Sequence, residues 1–97
     1  MPTYITLGQW TQQGIEKVKE SPARLEAFKQ LVKSAGGEVK EFYMVTGQYD
    51  IVVISEAPND DAMARVALAV ASKGSVKTET LRAFTEHEYR KIIAGLP

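Results

Sequence analysis

Residues 51–54 read Ile-Val-Val-Ile, with no polar position among them. A short run of β-branched residues bounded by turn formers forms a strand rather than a helix. Successive side chains in a strand point to opposite faces, so both faces of this one need to leave water. Thr46-Gly47-Gln48-Tyr49 precedes the run and Pro58-Asn59-Asp60-Asp61 follows it, which fixes its limits. A chain of 97 residues has little material with which to cover two apolar faces, and that shortage governs what it can fold into.

The neighbouring segments supply one cover. Residues 3–10 alternate as a strand, Ile5 and Leu7 to one side and Tyr4, Thr6 and Gly8 to the other. Thr11 caps a short helical turn over 11–20, with Ile15 and Val18 predicted inward. Ser21 as the capping hydroxyl and Pro22 at the first helical position then open a helix whose Leu25, Phe28, Leu31, Val32 and Ala35 follow three-and-four spacing, and Gly36-Gly37 stops it. Strands are predicted over 38–46 and 49–57, joined by a type II′ turn at Gly47-Gln48. The implied register sets Met44 against Ile51 and Phe42 against Val53 on one face, Tyr43 against Val52 and Glu41 against Ile54 on the other. Asn59 caps a second long helix with Met63, Val66, Ala67 and Val70 inward, ending at Gly74. A fourth strand covers 75–84, and Thr85 with Glu88 forms a capping box for a last short helix carrying Tyr89, Ile92 and Ile93. The order β-α-β-β-α-β is the ferredoxin-like split pattern, an α+β fold of one domain over 1–97 with a short C-terminal helix. Both crossover helices then lie on the same side of a four-stranded antiparallel sheet.

In this reading the helices pack on Ile5, Leu7, Phe42, Met44, Ile51 and Val53. The other face shows Tyr4, Tyr43, Val45, Val52 and Ile54, with Thr6, Glu41 and Asp50 among them. A contiguous apolar patch of that kind marks an interface. The expectation is a two-fold homodimer, or a higher homo-oligomer, in which sheets face one another as a dimeric α/β barrel burying about 800 Å² per partner. The polar residues imply a partly filled space between sheets, where a small molecule binds. Its candidate lining is Tyr4, Thr6, Trp10, Glu41, Tyr43, Asp50, Thr80 and Arg82.

Composition narrows the function. Lys plus Arg equal Asp plus Glu at 12 each, which argues against a nucleic-acid groove. Cysteine is absent, which removes disulfides, thiolate nucleophiles and zinc knuckles. No run reaches the length of a membrane helix and no signal peptide is read, so a cytoplasmic protein without membrane contact is expected. Turn chemistry accounts for Tyr49-Asp50, and capping for Asp60 and Asp61, which form no metal site. His87, the only histidine, is read as a surface residue. Three functions compete. The first is a non-catalytic homo-oligomer that binds a small metabolite or assembles with itself, with no cofactor. The second is a small cofactor-free enzyme of monooxygenase or isomerase type using Glu41, Tyr43 or His87. The third is an accessory protein that binds another protein along a strand edge.

The segments TQQGI near the start, PAR at 22–24, GGEVKEFY at 36–43, GQYDIV at 47–52, EAPND at 56–60 and GSVKTETLRAF at 74–84 resemble the GYD family of small bacterial and archaeal proteins. Gly47, Tyr49 and Asp50 match the residues that give that family its name, here with Gln48 interposed. The resemblance implies the dimeric α/β-barrel superfamily and brings no established biochemical activity. Residues 36–84 are also similar to the ligand-binding domain of leucine-responsive and AsnC-type regulators, which implies amino-acid binding between subunits; the DNA-binding helix-turn-helix of those regulators is not found here. Cofactor-free monooxygenases and muconolactone isomerase are related through the fold alone.

Overall fold

The computed structural model describes residues 1–97. β1 (Thr3–Trp10) leads into a five-residue helix α1 (Gln12–Glu16), a 3₁₀ turn (Val18–Glu20) and α2 (Ser21–Ser34). β2 (Glu38–Met44) and β3 (Ile51–Glu56) form a hairpin, α3 (Asp60–Ala71) crosses back, and β4 (Val76–Ala83) precedes α4 (Glu86–Ala94). The sheet order is β2-β3-β1-β4 with every neighbouring pair antiparallel. The α+β, ferredoxin-like arrangement read from the sequence is therefore the one observed.

The hairpin register is also as read: Met44 pairs with Ile51, Phe42 with Val53, Tyr43 with Val52 and Glu41 with Ile54. Its connection is looser than a two-residue turn, closed by the Val45 N–H donating to the Asp50 carbonyl at 2.8 Å. Gly47, at φ +118°, takes a conformation that L side chains avoid. The expected caps form: Asn59 accepts from the Ala62 N–H at 2.9 Å, and Thr85 and Glu88 complete a reciprocal capping box. Ser21 does not cap α2. It is the first helical residue, and Pro22 sits at the second, where its missing N–H leaves no bond unmade.

Two further expectations are corrected. Ile15 and Val18 are exposed, because α1 turns its backbone inward instead of an apolar stripe. Gly14 is buried, and a Cβ there would lie 1.9 Å from the Ser75 carbonyl oxygen. Thr11 accepts from the Gly14 N–H and donates to the Gly74 carbonyl, tying this corner to the one before β4.

The second correction is the phase of β1. Thr6 pairs with Val53 and Tyr4 with Ser55, so Tyr4, Thr6 and Gly8 face the helices and are buried. Ile5 and Leu7 lie on the opposite face. The physical reason is amphipathicity: the Tyr4 ring packs in the core while its hydroxyl reaches out to Asp60 at the start of α3.

The dense part of the core joins Tyr4, Val32, Ala57, Met63 and Val66 at one end of the helix–sheet layer. Only 11 of 97 residues are buried, so much of the apolar surface of the protomer is left uncovered.

Candidate functional site

With β1 in its observed phase, the helix-free face of the sheet carries two continuous rows. One runs Glu41, Ile54, Ile5, Leu81 and the other Tyr43, Val52, Leu7, Glu79, each crossing all four strands. The four central side chains, Ile5, Leu7, Val52 and Ile54, are half-buried by one another. Tyr43 and Leu81 at the edges are 52% and 44% exposed. A carboxylate ends each row, Glu41 on one edge strand and Glu79 on the other. Reading β1 in the wrong phase hid Ile5, Leu7, Leu81 and Glu79 from this face. The β1–β3 pairing that decides the phase joins residues about fifty apart, and nothing local to β1 encodes it.

α4 adds a second uncovered surface. Tyr89, Ile92 and Ile93 are 57%, 48% and 48% exposed, and Leu96 just beyond is 61% exposed. No residue of α4 is buried. An ion pair from Glu88 to Arg82 at 3.7 Å ties its first turn to β4. The Glu88 carboxyl is held below its usual range by the Thr85 backbone N–H first, with Arg82 assisting. His87 stands exposed in the same turn.

The eight candidate site residues do not gather in one space. Glu41 and Tyr43 lie exposed on the open face. Tyr4, Thr6, Trp10, Thr80 and Arg82 share the helix-facing side, and Asp50 sits in the hairpin loop. The Asp50 carboxylate accepts from the Trp10 N–H at 2.9 Å, and its own N–H donates to the Gly8 carbonyl at 2.9 Å. It fastens the hairpin loop to the end of β1. Tyr49 donates its hydroxyl to Glu79 at 3.0 Å, which raises the phenol pKa. Tyr49 and Asp50, two of the three residues that give the family its name, thus have structural partners.

On the helix side, Tyr4 donates to Asp60, and burial first, then that carboxylate, push its pKa up to about 12. At neutral pH it is a fixed donor, with no capacity to act as a base. Arg82 lies 4.4 Å from the Phe84 ring centroid and 5.9 Å from that of Tyr4, and also donates to the Ala83 carbonyl. Its guanidinium is engaged by stacking, by a carbonyl and by Glu88, so it is not free to grip a ligand carboxylate. Thr6 and Trp10 instead contribute to a cavity of about 110 Å³ between the sheet and the helices, at the end away from the dense core. No group of three or more His, Cys, Asp or Glu side chains comes together to suit a metal ion, and no helix is long and apolar enough to cross a membrane.

The GYD domain model matches residues 4–93. The chain belongs to the GYD domain family. A Thermus thermophilus relative named glutamine synthetase and cystathionine beta-lyase binding protein is 42% identical over 84 residues, covering 86% of this GYD chain and 88% of the relative. A crystallised protein from Thermus thermophilus superposes with a TM-score of 0.56 at 26% identity, covering 88% of this chain and 95% of that one. The Mycobacterium tuberculosis leucine response regulatory protein gives a TM-score of 0.65 at 15% identity over 87% of this chain and 51% of its own. That likeness shows a shared fold with the leucine-responsive regulators.

Proposed function

We propose that this GYD domain is a non-catalytic binding module that pairs with a second copy through the open face of its sheet and, so paired, docks onto a metabolic enzyme. The observation that carries the reading is the uncovered apolar surface: two rows crossing every strand, and a separate exposed apolar stripe on α4. At about 4.8 Å between strands and about 3.3 Å per residue, four strands of roughly seven residues project a face of about 440 Å². Side-chain relief raises the accessible area above that, but a stable interface buries about 800 Å² on each partner. The sheet face alone is marginal, and α4 laid across the partner's edge supplies the remainder. Glu41 and Glu79 at the row ends remain in the polar rim, where charges stay hydrated.

The enzyme partner is inferred from the relative named for binding glutamine synthetase and cystathionine beta-lyase, and a cytoplasmic setting is part of the same proposal. The 12-to-12 balance of acidic and basic residues supports a protein partner over nucleic acid.

The test is capture of glutamine synthetase and cystathionine beta-lyase, each purified from the same organism, on the immobilised domain. Val52→Glu serves as the comparison. Val52 lies in the middle of a row, and two-fold symmetry places the new carboxylate in the interface twice. Losing half of a valine's burial on each side removes about 2 kcal/mol, and two desolvated charges add several more. Pairing weakens by at least about a thousandfold. Retention of either enzyme by the native domain, lost in V52E, is the expected result. Failure of the native domain to retain either enzyme overturns the partner assignment, and equal retention by both forms overturns the role of the paired face.

A further inference from the structure

We propose that the cavity inside the helix–sheet layer binds a small organic monocarboxylate with a compact apolar body. The site is separate from the pairing face, since it lies on the other side of the sheet. Its walls are apolar: Phe28 from α2, with Ile51 and Val53 from β3, while Thr6 adds a hydroxyl. The filling is uneven for a clear reason. Val32 of α2 and Met63 and Val66 of α3 fill the far end of the layer, whereas at the near end Gly8 draws the Ile51 side chain down onto the sheet instead of filling the layer above it. A Cβ on Gly8 would meet that side chain at 2.6 Å.

The charge pattern of the lining selects the ligand. Arg24 and Lys73 are the only charged residues among the sixteen, and both are cations. Neither takes part in an ion pair. Arg24 is held by neutral partners alone, the carbonyls of Lys17 at 3.0 Å and Gly14 at 3.1 Å, so its position is fixed while its charge is unmatched. Lys73 is exposed at the surface end. A carboxylate at that end meets two cations while keeping part of its hydration, and the apolar body enters beyond it. The volume of about 110 Å³ is below the roughly 150 Å³ of an engineered cavity that admits benzene, so a body of about four to five carbons fits, with the carboxylate outside it.

The experiment titrates the native ¹⁵N-labelled domain with 4-methylpentanoate and, separately, with 3-methylbutylamine, following amide shifts. The expected result is saturable shifts at Thr6, Phe28, Val53 and Val70 with the carboxylate and none with the amine. Lys73→Glu, at an exposed position, weakens the carboxylate about tenfold or more, and Thr78→Met, which fills the cavity from β4, removes binding with the melting temperature kept or raised. Equal shifts with acid and amine, an unchanged affinity in K73E, or shifts confined to Val52 and Ile54 on the open face would each overturn the assignment. A monomeric V52E that still binds 4-methylpentanoate normally upholds this site whatever becomes of the pairing reading.

Discussion

Asp50 is the family-motif residue with the most definite structural role, and Asp50→Ala measures it. The carboxylate accepts the part-buried Trp10 N–H at the last residue of β1. Removing a charged acceptor forfeits about 1.5–3 kcal/mol, and the stranded donor keeps its desolvation penalty within that total. We expect a loss of about 2 kcal/mol. For a chain of this size each kcal/mol moves the melting temperature about 4–8 °C, so D50A melts roughly 8–16 °C lower. In urea, with a slope of about 1–3 kcal/mol/M, the midpoint falls by about 1 M. Both measurements belong at one fixed protein concentration, since the proposed pairing would make stability concentration-dependent. Asp50→Asn keeps an oxygen in the same place and recovers at least half of the loss. Two outcomes contradict this account: D50A melting within a degree or two of the native protein while enzyme capture disappears, or D50N behaving as badly as D50A.

Three further outcomes follow from the same geometry. The Ser55 hydroxyl is fully buried without a hydrogen-bond partner, so Ser55→Ala is expected to raise stability by about 1 kcal/mol, read as a melting temperature about 4–8 °C higher. The Tyr4 pKa is raised from 10.0 to about 12 in the folded state. The fold thus favours the neutral phenol, and this stabilisation is complete below about pH 10 and lost as the pH climbs toward 12; a Tyr4→Phe variant should flatten the stability profile across that window. Gly37→Ala is expected to be poorly tolerated, because a Cβ there lies 2.1 Å from the Glu56 carbonyl oxygen. Backbone cannot yield as a side-chain tip can, so overpacking of about 1–3 kcal/mol should appear in urea denaturation.

Element order, caps and hairpin register were legible because each has a local cause. Thr85 and Glu88 are three residues apart, and the 44–51 pairing follows from the turn beside it. The phase of β1 was not legible, because Ile5 and Leu7 alternate with Tyr4 and Thr6 equally well whichever way the strand faces. Only the long-range pairings with β3 and β4, and a tyrosine long enough to bury its ring and still reach Asp60, decide it. The same error scattered the candidate site. Tyr4 and Arg82 were placed beside Glu41 and Tyr43, yet the sheet separates them. The cavity is not legible in the sequence because it depends on where Phe28 of α2 and Ile51 of β3 come to lie across the layer, which periodicity does not contain. The inference of an uncovered apolar face survives the correction in a stronger form, since Ile5 and Leu7 join Val52 and Ile54 on it.

Sedimentation equilibrium of the native chain from about 1 to 100 μM tests that inference most directly. A mass near twice 10.7 kDa at the lower concentrations, falling to one protomer in Val52→Glu, is the predicted result. A native chain that stays at 10.7 kDa across the whole range would leave the open face of the sheet in water and contradict the account.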